Sequence, residues 1–425
     1  MRSLSAVVVA SIAAAATSAR ANGAFPDEFS IHFPPDAPHR ILMGANFGML
    51  VSEDDGATWR YACEPWVVAG SNAALASANV GFYQVTVAGA ILANSVNLTR
   101  SSDVACTWPI STGSVSGVIV ADFFPDPNDA TFVLAIVIGQ AGGSYIVSSH
   151  DGGVTFDTAH LYDTTDLLTG IEIARSKRGM VYATLASSSG ATLLASTNSG
   201  ASWNRMPVPD SQGTQARILA VDPADENTVY LRLLNGPTDS IVVTRDGGQH
   251  FAPPLLTISG QFSAFLRAGD GALYAGTRDG NFYVQPAGSS GFATRTGPHF
   301  RCLGQRPGTT RIYACADMII DGYSLGTSDD GGATFQPLMS FKQLLGPLTC
   351  APVQTNCQAH WERIQGVLGI GAVPDAGQTS AGGGSGGGGG GGSHCASAGA
   401  DLSGLLGVAA ILRRRAKRRK APSSG

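Results

Sequence analysis

One eight-residue segment recurs along this chain at nearly constant spacing, and it constrains the fold more than any other feature. Ser52-Glu53-Asp54-Asp55-Gly56-Ala57-Thr58-Trp59 is matched by Ser149-His150-Asp151-Gly152-Gly153-Val154-Thr155-Phe156 and by Ser328-Asp329-Asp330-Gly331-Gly332-Ala333-Thr334-Phe335. Ser196-Thr197-Asn198-Ser199-Gly200-Ala201-Ser202-Trp203 puts Asn in place of Asp. Thr244-Arg245-Asp246-Gly247-Gly248-Gln249-His250-Phe251 keeps the Asp, the Gly and the aromatic. Ser101-Ser102-Asp103-Val104-Ala105-Cys106-Thr107-Trp108 has Ala105 in the Gly position, and a seventh copy, ending at Phe292, is almost erased. The closing aromatics stand at 59, 108, 156, 203, 251, 292 and 335, between 41 and 49 residues apart. Such regular spacing marks stacked supersecondary units, each of which buries its faces against its neighbours.

Each unit also carries an apolar run ahead of the segment: Arg40–Ala45, Phe82–Val87, Phe132–Ile138, Val181–Leu185, Val229–Leu233, Leu273–Gly276 and Ile312–Cys315. These runs are rich in Val, Ile, Leu, Tyr and Phe and are bounded by turn residues, which reads as strand. Clusters such as Pro125-Asp126-Pro127-Asn128-Asp129 and Asp222-Pro223-Ala224-Asp225 supply turn chemistry between strands. The 55 Gly, about 13% of the chain against a usual ~7%, fit a turn-rich β protein. Four short strands per unit, repeated seven times, predict an all-β fold, a seven-bladed propeller of four-stranded blades over roughly residues 25 to 345. Leu338–Phe341 is expected to supply the last outer strand. Gln358–Ile364, with Trp361 as a packing residue, is expected to form a helical turn or two at an edge.

The repeated segment resembles the Asp-box, or bacterial neuraminidase repeat, Ser/Thr-x-Asp-x-Gly-x-Thr-Trp/Phe. The resemblance implies a hairpin between the two outer strands, on the face away from any active site. It makes Asp54, Gly56, Trp59, Asp103, Trp108, Asp151, Gly153, Phe156, Gly200, Trp203, Asp246, Gly248, Phe251, Asp330, Gly332 and Phe335 structural. The carboxylates accept hydrogen bonds from their own turn, Gly takes positive φ, and the aromatic packs between blades. Sialidases share the repeat, and their chemistry needs three arginines, a Tyr–Glu pair and an acidic Asp. The nearest match to the first arginine is Arg40 in His39-Arg40-Ile41-Leu42, without the family's leading aromatic and Pro. Glu172 is the one Glu expected on an inner strand, with Arg175 its expected partner, so Arg40, Glu172 and Arg175 are the candidate channel residues. Sortilin-type receptors and photosystem II assembly factors are similar non-catalytic Asp-box propellers. The reading is therefore a binding propeller with no catalytic residues, metal or cofactor; a sialidase-like or other exo-acting glycoside hydrolase is the alternative.

The two ends read as addresses. Residues 1–21, with Arg2, an apolar run from Leu4 to Ala16 and Ala19-Arg20-Ala21, fit a secretory signal. Residues 22–375 form the propeller with a C-terminal disulfide loop. Residues 376–394 hold a Gly/Ser tether, 382–392 being ten Gly and one Ser. Residues 395–425 run from Cys395 through an apolar stretch, a short transmembrane helix in this reading, to the basic cluster Arg413–Lys420. That order resembles the MYXO-CTERM sorting signal and implies surface attachment through Cys395. Nine of the 27 Lys and Arg lie in the ends, against one of 31 acids, Asp401. Residues 22–375 therefore hold 18 basic and 30 acidic side chains, net −12, which excludes nucleic-acid binding. The expectation is a monomeric propeller at the cell surface with a protein or glycan partner, touching membrane only through its C-terminal anchor.

Six cysteines in the body imply three disulfides in an exported protein. The expected pairs are Cys302–Cys315, Cys350–Cys357 and Cys63–Cys106. With no CxxC and scattered His, no metal site is expected.

Overall fold

The computed structural model describes residues 28–69, 81–95, 97–139 and 142–370. The signal segment 1–21, the tether 376–394, Cys395 and the basic tail lie outside the described residues. Seven antiparallel sheets stand around one axis. Blade 1 holds β1 (Glu28–His32), β2 (Ile41–Ala45), β3 (Gly48–Ser52) and β4 (Arg60–Cys63), followed by α1 (Glu64–Ala69). Blade 2 has three strands, β5 (Phe82–Val85), β6 (Ile91–Asn94) and β7 (Leu98–Ser101); only an isolated bridge, Thr99 to Ile110, stands where a fourth was expected. A short β8 (Thr112–Gly113) leads to blade 3, built from β9 (Ile119–Pro125), β10 (Val133–Ile138), β11 (Ser144–Ser149) and β13 (Tyr162–Thr164). Within it, β12 (Thr155–Phe156) pairs in parallel with β8 and ties blades 2 and 3. Blade 4 is β14 (Leu167–Ile173), β15 (Val181–Ser187), β16 (Gly190–Ser196) and β17 (Asn204–Pro207). Blade 5 is β18 (Gln215–Val221), β19 (Val229–Asn235), β20 (Thr238–Thr244) and β21 (Leu256–Ser259). Blade 6 is β22 (Phe262–Arg267), β23 (Leu273–Thr277), β24 (Asn281–Gln285) and β25 (Ala293–Thr296). Blade 7 is β26 (Phe300–Gln305), β27 (Ile312–Ala316), β28 (Leu325–Ser328) and β29 (Gln336–Met339), with α2 (Met318–Asp321) in its β27–β28 hairpin.

Six of the seven apolar runs are second strands, and Phe82–Val87 is the inner strand of blade 2. They read as continuous apolar runs because a blade is covered on both faces by its neighbours. The buried side chains accordingly form layers between blades. Leu134, Ile136 and Ile146 of blade 3 pack with Ile171, Val181 and Leu194 of blade 4; Phe282 of blade 6 packs with Phe300 and Ile312 of blade 7. Most inner strands carry one bulge near their start, between Leu168 and Gly170, Ile218 and Ala220, Phe262 and Ala264, and Phe300 and Cys302. A bulge raises local twist and re-aims one side chain, which suits a strand that must fan out from the axis.

Blades 1 and 7 share no strand. They close the ring by direct packing, with Ile31 against Gly304, where an added Cβ would meet Ile31 Cγ2 at 2.6 Å. Phe33 lies 4.7 Å from Tyr313 between ring centroids. From blade 7 the chain crosses to the outer edge of blade 1, where the Leu345 and Leu348 amides donate to Trp59 O and Tyr61 O, and the Tyr61 amide donates to Gly346 O. It then enters α3 (Ala351–Leu368), far longer than the turn or two expected. Val353, Cys357, Trp361, Ile364 and Leu368 recur at intervals of three and four and form its buried face. Trp361 packs 5.6 Å from Tyr61, a packing role as expected.

The cysteines correct two expected pairs. Cys302–Cys315 is present, but Cys63 bonds to Cys357 and Cys106 bonds to Cys350. Cys350 caps α3 and Cys357 lies two turns along it, roughly 10 Å away at 1.5 Å per residue, beyond disulfide reach. The two cysteines of the helix instead fasten it to blade 1 and to blade 2.

Candidate functional site

The repeated segment forms one loop geometry in six blades. In blade 1, Ser52 Oγ donates to Asp54 Oδ1 at 2.8 Å and accepts from the Gly56 amide at 2.8 Å. Asp54 in turn accepts from the amide and hydroxyl of Thr58 at 2.8 and 2.7 Å. The same bonds recur around Asp103, Asp151, Asp246 and Asp330, and Asn198 substitutes through its amide oxygen. Thr58 holds Asp54 below its ordinary pKa; the amide and ring of His250 bring Asp246 to about 2; the amide and hydroxyl of Thr334 depress Asp330. These carboxylates are therefore spent on their own turns.

The Gly is required twice over. Gly153 has φ +90°, and a Cβ there would come 2.5 Å from Leu92 Cδ2 of the preceding blade; Gly332 has φ +79° and a 2.6 Å approach to Phe282. In blade 2, Ala105 takes the position at φ 64° and keeps the loop. The aromatic wedges between blades: Phe335 contacts Phe282 and Phe300, and Trp203 contacts Tyr162.

The central channel is lined by the inner strands β1, β5, β9, β14, β18, β22 and β26. Polar side chains of one blade, from its inner strand or, for Asn94 of β6 and Asp239 of β20, from a strand further out, stitch it to the inner strand of the next along five seams. Asn94 Nδ2 donates to Val120 O at 2.7 Å, and Asp122 Oδ2 accepts from the Ile171 amide at 2.9 Å. Glu172 Oε1 accepts from the Val221 amide at 2.9 Å, and Thr169 Oγ1 donates to Ala216 O at 2.6 Å. Asp239 Oδ2 accepts from the Phe262 amide at 2.9 Å, and Ser263 Oγ donates to Phe300 O at 2.7 Å. Thr169 and Ser263 are bulged residues, so the bulge is what aims them at the neighbouring blade.

Three of these stitches are carboxyls on successive blades, those of Asp122, Glu172 and Asp239. Burial pushes Glu172 up to about 7, opposed by the Val221 amide and reinforced by the charge of Asp122. Burial pushes Asp122 up to about 6, opposed by the Ile171 amide, Arg217 and the Phe123 amide. Glu172 and Asp122 are therefore groups suited to acid–base chemistry, yet each carboxyl has an oxygen committed to backbone.

The other channel candidates lie elsewhere. Arg40 lies just before β2 on the face of the repeated loops, where Nε donates to Glu53 Oε1 at 2.8 Å. Arg175 is exposed on the turn after β14, so Glu172 does not pair with it as expected; it caps the Val221 amide. The inner-strand arginines do not converge either. Arg267 donates to Asp222 at 2.8 Å, Arg301 to Asp317 at 2.6 Å, and Arg217 acts on Asp122. Asp122 escaped the sequence reading; its signal was its place in the strand feeding a Pro-Asp turn, one repeat before Glu172. Among the described residues, no cluster of three His, Cys, Asp or Glu could hold a metal, and no helix is long and apolar enough to cross a membrane.

On the face opposite the repeated loops, α2 presents two adjacent isoleucines, Ile319 and Ile320, 66% and 61% exposed. Its short turn is fixed at both ends: Asp317 accepts from the Ile319 amide at 2.9 Å and from Arg301 at 2.6 Å, and Asp321 accepts from the His299 amide and ring at 2.9 Å.

No family model matches this chain, and no curated protein is similar to it. Among solved structures, an ancestral GH74 enzyme has a TM-score of 0.57 at 14% identity, covering 74% of this chain and 46% of that one. The chain thus spans just under half of that enzyme. The Dos1 propeller has a TM-score of 0.53 at 9% identity, covering 75% and 85%. YCF48 bound to D1 peptide has a TM-score of 0.37 at 16% identity, covering 52% and 67%. At these identities the likeness of the first two is one of fold.

Proposed function

We propose that this chain is an exported, surface-anchored, non-catalytic propeller that binds a protein partner through the face opposite its repeated loops. The observation that carries the reading is the rigid α2 turn with Ile319 and Ile320 in solvent, beside a channel whose polar groups hold the blades together. Two neighbouring aliphatic side chains held on a fixed turn give a partner apolar contact without an ordering cost. The Asp-box identity of the loops and the sorting role of the tail belong to this proposal, resting on the residue patterns quoted above. A photocrosslinking residue at position 320, on intact cells, should yield defined protein adducts, while one at Val154, an exposed box-face residue, should not. Adducts from position 154 alone, or from neither, would overturn the assignment.

Glycoside hydrolysis is the second reading, favoured by one observation: Asp122 and Glu172 are a carboxyl pair near the axis with raised pKa values. It would need one of the two to release its backbone amide in order to reach a sugar.

A further inference from the structure

The five seams from blade 2 to blade 7 are stitched along the channel, whereas the ring's start and end meet at blade 1. Near its inner edge, Ser30 Oγ, His32 Nε2 and Tyr83 OH are buried without a hydrogen-bond partner among the described residues. Blade 7 reaches blade 1 through Arg306, which donates to Asp55 at 2.8 Å and lies over the Phe33 ring, and α3 with its two disulfides fastens blades 1 and 2 from outside. The bridges differ in access. Cys63 and Cys357 are both fully buried, beneath the helix and behind β4, and Cys357 Sγ lies 3.0 Å from the Cys63 amide. Cys106 sits in the repeated loop of blade 2 and Cys350 at the first turn of α3, and both are half-buried. Cys302–Cys315 joins neighbouring strands of blade 7 and is buried.

We propose that α3 is a two-stage redox latch, in which Cys106–Cys350 is the release and Cys63–Cys357 the lock. A thiolate of an external dithiol attacks Sγ of Cys106 or Cys350, forming a mixed disulfide and expelling the other cysteine as a thiolate. The second thiol of the reductant then displaces the protein cysteine, leaving Cys106 and Cys350 as thiols and the reductant as its cyclic disulfide. Two electrons pass from reductant to protein. Exchange needs direct approach to a sulfur, so access orders the steps. The first stage frees the start of α3 from blade 2. The buried apolar face of the helix and the bonds of residues 345–348 to β4 stay in place, so the lock stays covered and the ring stays closed. Breaking the lock requires α3 to lift from Tyr61 and β4.

The test is limited reduction of the full chain with dithiothreitol, trapping with N-ethylmaleimide and mapping of alkylated cysteines over time, with hydrogen exchange of β4 in parallel. Cys106 and Cys350 should become alkylated at least ten times faster than Cys63, Cys357, Cys302 and Cys315. Amides of β4 should keep their protection through that first phase and lose it only as Cys63 and Cys357 are labelled. Simultaneous opening of the three bridges, or earlier labelling of Cys63 and Cys357, would overturn the proposal. The Cys106→Ala, Cys350→Ala variant gives a second arm: its lock should resist reduction as it does in the half-reduced wild type. A lock in that variant reduced as fast as the wild-type release would equally refute the latch. The time course on the wild type stands by itself if the variant does not fold.

Discussion

Removing the long-range bridges tests how the ring is held. Cys63–Cys357 spans 294 residues, Cys106–Cys350 spans 244 and Cys302–Cys315 spans 13. In the chain-entropy treatment the short bridge is worth about 3 kcal/mol, and a loop near 300 residues about 6 kcal/mol. The two long bridges are nested, so with either intact the other closes only a loop of roughly 50 residues, worth about 4 kcal/mol. Cys63→Ala with Cys357→Ala should therefore cost about 4 kcal/mol, the Cys106/Cys350 pair about the same, and all four together about 10 kcal/mol. That excess over additivity is the signature of two fasteners on one joint. Urea unfolding followed by tryptophan fluorescence reads it, with Trp59 and Trp361 both buried at the joint. The Cys302→Ala, Cys315→Ala variant is the control, losing about 3 kcal/mol. If all four substitutions cost no more than that control, the helix does not hold the ring and the reasoning fails.

Glu172→Gln should flatten part of the stability–pH curve. The folded pKa of about 7 lies above the 4.5 of a free glutamate, so the fold favours the protonated acid. Its stabilisation is complete below about pH 4.5 and lost as pH rises through about 7, a change of about 3 kcal/mol at most by urea midpoints between pH 4.5 and 8. Gly153→Ala should cost about 2–4 kcal/mol in the same assay, from positive φ and the clash with Leu92. Ala105→Gly should change stability by about 0.5 kcal/mol or less, since relief at φ 64° offsets the buried methyl it removes. Asp151→Ala should destabilise by about 1–3 kcal/mol and leave partner crosslinking at position 320 unchanged, because Asp151 serves only its own loop.

The number of blades was legible because a loop built on local hydrogen bonds leaves its residues close together in sequence. Asp54, Gly56, Thr58 and Trp59 could be read without knowing any partner. What depended on the neighbouring blade was not legible. Asp122 acts on Ile171, and Glu172 on Val221, each 49 residues away, so neither bond leaves a local trace. The short loop spacing suggested Cys350–Cys357, whereas the helical rise between them forbids it and directs both cysteines outward to separate blades. The missing fourth strand of blade 2 coincides with the copy whose Gly is replaced by Ala105. The exposure of Ile319 and Ile320 depends on the helical turn that Asp317 and Asp321 fix through Arg301 and His299, contacts that no local pattern announces.

The proposed non-catalytic reading requires that the channel carboxyls hold blades together and do no chemistry. Its most direct test is hydrolysis of fluorogenic sialosides and of a panel of polysaccharides by the wild type and by the Asp122→Asn, Glu172→Gln variant, both checked for folding. The account predicts no product release that distinguishes the two proteins. Turnover by the wild type that the folded variant loses would contradict it and make Asp122 and Glu172 catalytic.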